Sequence, residues 1–121
     1  MESSVKYKYR YRPAYNAHDL LIEFINGAEN ENLLTDLFEA IKEINPVFTG
    51  KTDLWMNDEV LYFIGTDLGE FILSKDIWDF AFIVTEKNQE CIARINDLLL
   101  KDKRYEKIEV NFDDYTTRKK S

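Results

Sequence analysis

Val5-Lys6-Tyr7-Lys8-Tyr9-Arg10-Tyr11-Arg12 alternates without a break, and no other stretch of the chain constrains its fold as strongly. An extended backbone sends successive side chains to opposite faces. Val5, Tyr7, Tyr9 and Tyr11 then share one face, and Lys6, Lys8, Arg10 and Arg12 the other. The segment reads as a strand whose tyrosines pack inward and whose cations face solvent or neighbouring acids. On an edge strand, four charges would also deter edge-to-edge pairing.

The rest of the chain alternates between period 2 and period 3.6. Pro13 ends the first strand, and a turn follows through Asn16. Residues 20–25 fit a second strand in a hairpin with the first, or a short helix capped by Asp19; Asn26-Gly27 as a turn signal favours the strand. Residues 29–44 read as a helix with Leu33, Leu34, Leu37, Phe38, Ile41 and Ile44 on one stripe, ended by Pro46. Four strands are expected next: 52–56, 60–65, 71–73 and 78–85. The second of these is apolar on both faces, as a central covered strand would be. Trp78 shares a face with Phe80 and Phe82 and is expected in the core. A second helix over 87–102 buries Cys91, Ile92, Ile95, Leu98 and Leu99, and a last strand covers 105–112. The order ββ-α-ββββ-α-β with short turns predicts one α+β domain over 1–121. Its sheet is mainly antiparallel, two helices pack on one face, and a short basic tail at the C-terminus is disordered.

The net charge of −7 is unevenly spread. Between residues 13 and 117 there are 9 basic and 22 acidic residues, a net of −13. Such a body repels nucleic acid and anionic membrane and attracts cationic partners. No apolar run approaches the ~18 residues that span a membrane. The first residues, Met1-Glu2-Ser3-Ser4, carry no apolar leader core. One cysteine, Cys91, excludes an internal disulfide and fits a reducing compartment, so the expected location is the cytoplasm.

Catalytic chemistry is hard to place. The one histidine, His18, has no nucleophile or orienting acid at motif spacing. Cys91 lies on an apolar helix stripe and reads as core. A single Cys and a single His cannot make a four-ligand zinc site, and the 4 glycines form no phosphate loop. Asp113-Asp114 reads as solvated strand end. The expectation is a protein that is not an enzyme and holds no cofactor or metal.

Binding is the better prospect. Asp53, Asp58, Glu59, Asp67, Glu70, Asp76 and Asp79 fall among the strands, interleaved with Trp55, Tyr62 and Trp78. Carboxylates steer a basic partner, and an exposed aromatic supplies the desolvated anchor. An alternative gives Lys6, Lys8, Arg10 and Arg12 to nucleic acid. Its difficulty is that alternation separates the cations from the rings, whereas a stacking platform needs both on one face. A surface carrying both signs also leaves a homodimer possible.

In length, acidity, aromatic content and want of catalytic groups, the chain resembles the small acidic cytosolic immunity proteins of bacterial toxin–immunity systems. The resemblance is one of type. The nearest local signature, Gly65-Thr66-Asp67-Leu68-Gly69-Glu70-Phe71 followed by Trp78-Asp79-Phe80, has no function attached to it. The resemblance implies tight binding to one cognate toxin domain, often a cationic nuclease, with carboxylates standing where its substrate's phosphates would lie. The basic first strand departs from an all-acidic inhibitor surface.

Overall fold

The tyrosine face of the first strand forms the centre of the core. In the computed structural model, β1 (Tyr7–Pro13) pairs antiparallel with β2 (Leu20–Asn26), and Tyr7 and Tyr9 are completely buried. The structure describes residues 5–13, 19–54, 56, 58–78, 80–85 and 87–111. His18, Trp55, Asp79, Asp113, Asp114 and the basic tail lie outside them. After β2 come α1 (Leu33–Ala40) and a short 3-10 turn (Lys42–Ile44). Then follow β3 (Val47–Leu54), β4 (Glu59–Thr66), β5 (Gly69–Asp76) and β6 (Ala81–Val84). The last elements are α2 (Gln89–Leu100) and β7 (Tyr105–Lys107).

One seven-stranded sheet results, in the order β3-β4-β5-β6-β2-β1-β7. All pairings are antiparallel except that of β1 with β7. The meander β3 to β6 returns the chain beside β2, and α2 carries it across to lay β7 alongside β1. The expected α+β class, antiparallel character and element order all hold.

Both helices contribute to a single core on one face of the sheet. Leu33, Leu37 and Ile41 from the first helical segment and Cys91, Ile92, Ile95, Leu98 and Leu99 from α2 meet Tyr7, Tyr9, Ile22, Phe24, Ile64, Phe71, Leu73 and Ile83. Tyr7 stacks on Tyr105 with ring centroids 4.9 Å apart and meets Phe24 edge-on at 6.3 Å. Such pairs add about 0.5–1.5 kcal/mol each beyond the area they bury.

Four expectations need correction. The first strand is not an edge, because β2 and β7 flank it. The first helix is shorter than 29–44, giving way to the 3-10 turn after Ile41. β4 is not covered on both faces. Ile64 is buried, but Leu61 and Phe63 point to the face without helices and stay half-buried. Trp78 is not in the core: it is 60% exposed, and the strand begins only at Ala81. Within that strand the helices cover Ala81 and Ile83, leaving Phe82 and Val84 on the open face.

Candidate functional site

Two turns meet at one end of the sheet. The turn after β3 passes through Asp58, whose φ of 56° lies in the left-handed region that Asp tolerates better than most residues. Its carbonyl accepts a hydrogen bond of 3.1 Å from the Ile77 N–H in the turn after β5. Asp76 closes that second turn. Its Oδ1 accepts from the backbone N–H groups of Trp78 and Phe80 at 3.0 Å each, and its own N–H donates to the Phe80 carbonyl at 3.1 Å. A side-chain acceptor bonded two residues ahead is what makes Asp a turn residue. Here it also fixes two large apolar residues in solvent.

The lining of this end is acidic. Asp53, Asp58, Glu59 and Asp76 surround a hollow of about 420 Å³ together with Val60, Tyr62, Lys75 and Ile77. Glu59 is partly engaged, its Oε2 accepting from the Ser74 hydroxyl across the β4–β5 pair. Asp53 and Asp58 make no ion pair with any described residue. Ile77, 64% exposed, also lines the hollow, and the same two turns carry the exposed Met56 (78%), Trp78 (60%) and Phe80 (48%). Four carboxylates against one ammonium give the hollow a negative field, and the turns beside it supply exposed apolar area.

The structure thus gathers Asp53, Asp58, Glu59 and Asp76 but separates Asp67 and Glu70 from them. Those two lie at the β4–β5 turn, the other end of eight-residue strands, roughly 25 Å away at ~3.3 Å per residue. There Asp67 Oδ2 accepts from Asn45 Nδ2 at 2.7 Å, and the Glu70 carbonyl accepts from Asn88 Nδ2 at 3.0 Å. Their work is in holding turns together. Met56, Ile77 and Phe80 were missed in sequence. The available signal was an Asp at a strand end followed within four residues by three large apolar side chains, which a turn must leave in solvent.

The basic face of β1 is mostly engaged inside the molecule. Glu23, opposite Arg10 in register, holds Arg12 at 2.8 Å and Arg10 at 3.7 Å. Arg12 also donates to the Pro13 carbonyl at 2.9 Å and is buried. Lys6 Nζ donates to Asp36 Oδ2 at 2.8 Å. Lys8 lies beside Glu106 of β7.

Asp36 anchors a second polar cluster. Its carboxylate also accepts from the Tyr7 hydroxyl at 2.6 Å and from Arg104 Nη1 at 3.1 Å, and Arg104 in turn grips Asp102 at 2.7 Å. Burial pushes the Asp36 carboxyl upward, but the bonds from Lys6 and Tyr7 and the charges of Lys6 and Arg104 outweigh it, so it stays below its ordinary range. The hydrogen bonds from Arg104 hold Asp102 low against its partial burial. The cluster ties α1, β1 and the start of β7 together and has a structural role.

Burial raises the Cys91 thiol, which shares a hydrogen bond of 3.6 Å with Thr66 Oγ1, so no thiolate nucleophile is prepared there. Among the described residues, no three His, Cys, Asp or Glu side chains are placed to hold a metal ion, and no helix is long and apolar enough to cross a membrane. Comparison with protein-family models, with curated proteins and with solved structures found no match.

Proposed function

We propose that this protein is a non-enzymatic binding module that holds a cationic protein at the acidic end of its sheet, where the turns also expose large apolar residues. An immunity protein or antitoxin-like inhibitor holds its toxin domain in this manner. The observation that carries the reading is the grouping of four carboxylates and Ile77 around one hollow, at the end of the sheet whose turns also carry exposed Met56, Trp78 and Phe80. Clustered apolar side chains in solvent mark contact surfaces more often than scattered ones do. Tryptophan is the strongest of the usual anchors, and surrounding acids set orientation and association rate. A toxin domain with a basic groove fits this chemistry, the carboxylates standing in for substrate phosphates. The nucleic-acid alternative through Lys6, Lys8, Arg10 and Arg12 has less behind it, because Asp36 and Glu23 already pair three of those four cations.

The test is capture at low salt from a nuclease-treated lysate, with the parent chain, Trp78→Ala and Asp58→Lys run in parallel. The expected result is one stoichiometric basic protein on the parent, released by salt and lost from both variants. The purified captured protein should lose its own activity when the parent is added. Equal capture by all three forms would remove the acidic end as the binding surface.

A further inference from the structure

The sheet has one long open edge. Among the described residues, β3 has β4 on one side and no strand on the other, and from Val47 to Asp53 every residue but Gly50 is exposed. The far edge, β7, is only three residues long. A long open edge presents unpaired N–H and C=O groups to any complementary strand. A register shift between Phe48 and Gly50 kinks the start of β3, leaving Gly50–Leu54 as its regular part, with Thr52 at the middle.

Side-chain charge on this segment selects a partner. Lys51 and Asp53 stand opposite Tyr62 and Val60 of β4, which places both on the helix-bearing face. Two copies joined edge to edge and antiparallel are related by a two-fold axis perpendicular to the sheet. That axis keeps each face on its own side, so the pairing must be centred on a residue. Centring on Lys51 opposes Lys51 to itself, and centring on Asp53 opposes Asp53 to itself. Centring on Gly50 sets Lys51 against the kinked Thr49. Centring on Thr52 alone opposes Lys51 of each copy to Asp53 of the other, twice by symmetry. The same arrangement brings the exposed Val47–Phe48 end of one strand to the exposed Met56 end of its mate.

We propose that the chain forms a symmetric homodimer by antiparallel pairing of β3 with β3 of a second copy, centred on Thr52, joining two sheets into one. The turn bearing Trp78 and Phe80 lies between β5 and β6, roughly 10–14 Å from this edge at ~4.8 Å per strand, so it stays open in the dimer. The dimer shares Asp53 and Met56 with the end proposed above to hold a cationic partner, so the two readings are separated by testing self-association on the purified chain alone.

Sedimentation velocity on the whole chain tests it, from about 5 μM to about 500 μM, the range in which a small interface dissociates. The parent should shift from monomer to dimer across this range. Lys51→Glu and Asp53→Lys each turn two attractive cross-strand pairs into repulsive ones and should each weaken the dimer at least about tenfold. In an equimolar mixture, the glutamate introduced in one variant faces the lysine introduced in the other. The second pair of that mixed dimer keeps the parental Asp53 against the parental Lys51, so the mixture should dimerise again. Both positions are exposed, so unfolding midpoints should match the parent's. A parent that stays monomeric, a single variant that dimerises like the parent, or a mixture no better than its components would each overturn the proposal.

Discussion

Three buried tyrosines meet in the core with three different hydroxyl environments. Tyr7 donates to the Asp36 carboxylate at 2.6 Å, Tyr9 donates to Asn96 Oδ1 at 2.9 Å, and the Tyr105 hydroxyl has no partner among the described residues. A bond to a charged acceptor is worth about 1.5–3 kcal/mol, a neutral one about 0.5–1.5, and an unmade one is a cost. Replacement by Phe should therefore be graded: Tyr7→Phe loses the most, Tyr9→Phe about 1 kcal/mol, and Tyr105→Phe nothing or gains slightly. Denaturant unfolding of the three variants checks the order. The same groups set the pH limits. Burial holds all three hydroxyls above the ordinary tyrosine range, so the folded state keeps protons that the unfolded chain releases. Their contribution is complete below about pH 10 and is lost as the pH rises beyond it. Asp36 acts at the other limit. Its folded value is depressed, so its contribution is present above about pH 4 and is lost as the pH falls through the folded value. Unfolding midpoints should fall at both extremes. Asp36→Asn should flatten the acid limb down to the part that Asp102 contributes and lessen the alkaline fall, because after burial the Asp36 carboxylate is what raises the Tyr7 hydroxyl.

At the scale of elements, the order of strands and helices was legible because the hydrophobic period switches cleanly between 2 and 3.6. The stripe Cys91, Ile92, Ile95, Leu98 and Leu99 is buried as the spacing requires. What local pattern could not supply was the identity of neighbours. β7 keeps only Tyr105–Lys107 of an alternating stretch, since those are the residues that lie along Tyr7–Tyr9. β3 starts at Val47, unseen because the kink before Gly50 breaks the alternation. The alternation that groups Trp78 with Phe80 and Phe82 does not carry Trp78 into a strand, because β6 begins at Ala81, and within β6 the helices cover Ala81 and Ile83 rather than Phe82. Turn geometry was more readable. Gly27 has φ +92°, and a β-carbon there would strike the Lys6 carbonyl and the Tyr7 ring. Gly69 has φ +110°, but its β-carbon would meet only the Asn88 side chain, which can swing aside. Gly27→Ala should cost about 2–4 kcal/mol and Gly69→Ala about 1–2, because only the first adds an unyielding clash to the left-handed penalty. Thermal unfolding of the pair would show the difference.

At the scale of the molecule, the chain divides its charge by purpose. The cations of β1, and Lys6 just before it, are largely engaged by Asp36 and Glu23, while Asp53 and Asp58, at the end whose turns carry exposed apolar residues, make no ion pair with any described residue. The residue types of the candidate site were legible in the sequence, but their grouping was not. Asp53 and Asp76 come together only because β3 and β5 flank β4, and Asp67 and Glu70 are removed to the far end by the length of the same strands. That division makes a direct prediction about what the exposed aromatics are for. A large apolar side chain kept for the fold should cost several kcal/mol when truncated. One kept for a partner should cost almost nothing in the free protein. Phe71 is buried under the helices, so Phe71→Ala should lose about 3–5 kcal/mol. Trp78 is held in solvent by the Asp76 turn, so Trp78→Ala should stay within about 0.5 kcal/mol of the parent. Urea unfolding of both variants measures this. A Trp78→Ala loss comparable to that of Phe71→Ala would mean that Trp78 packs against the molecule and serves its stability, and the exposed apolar turn would then have no claim to be a contact surface.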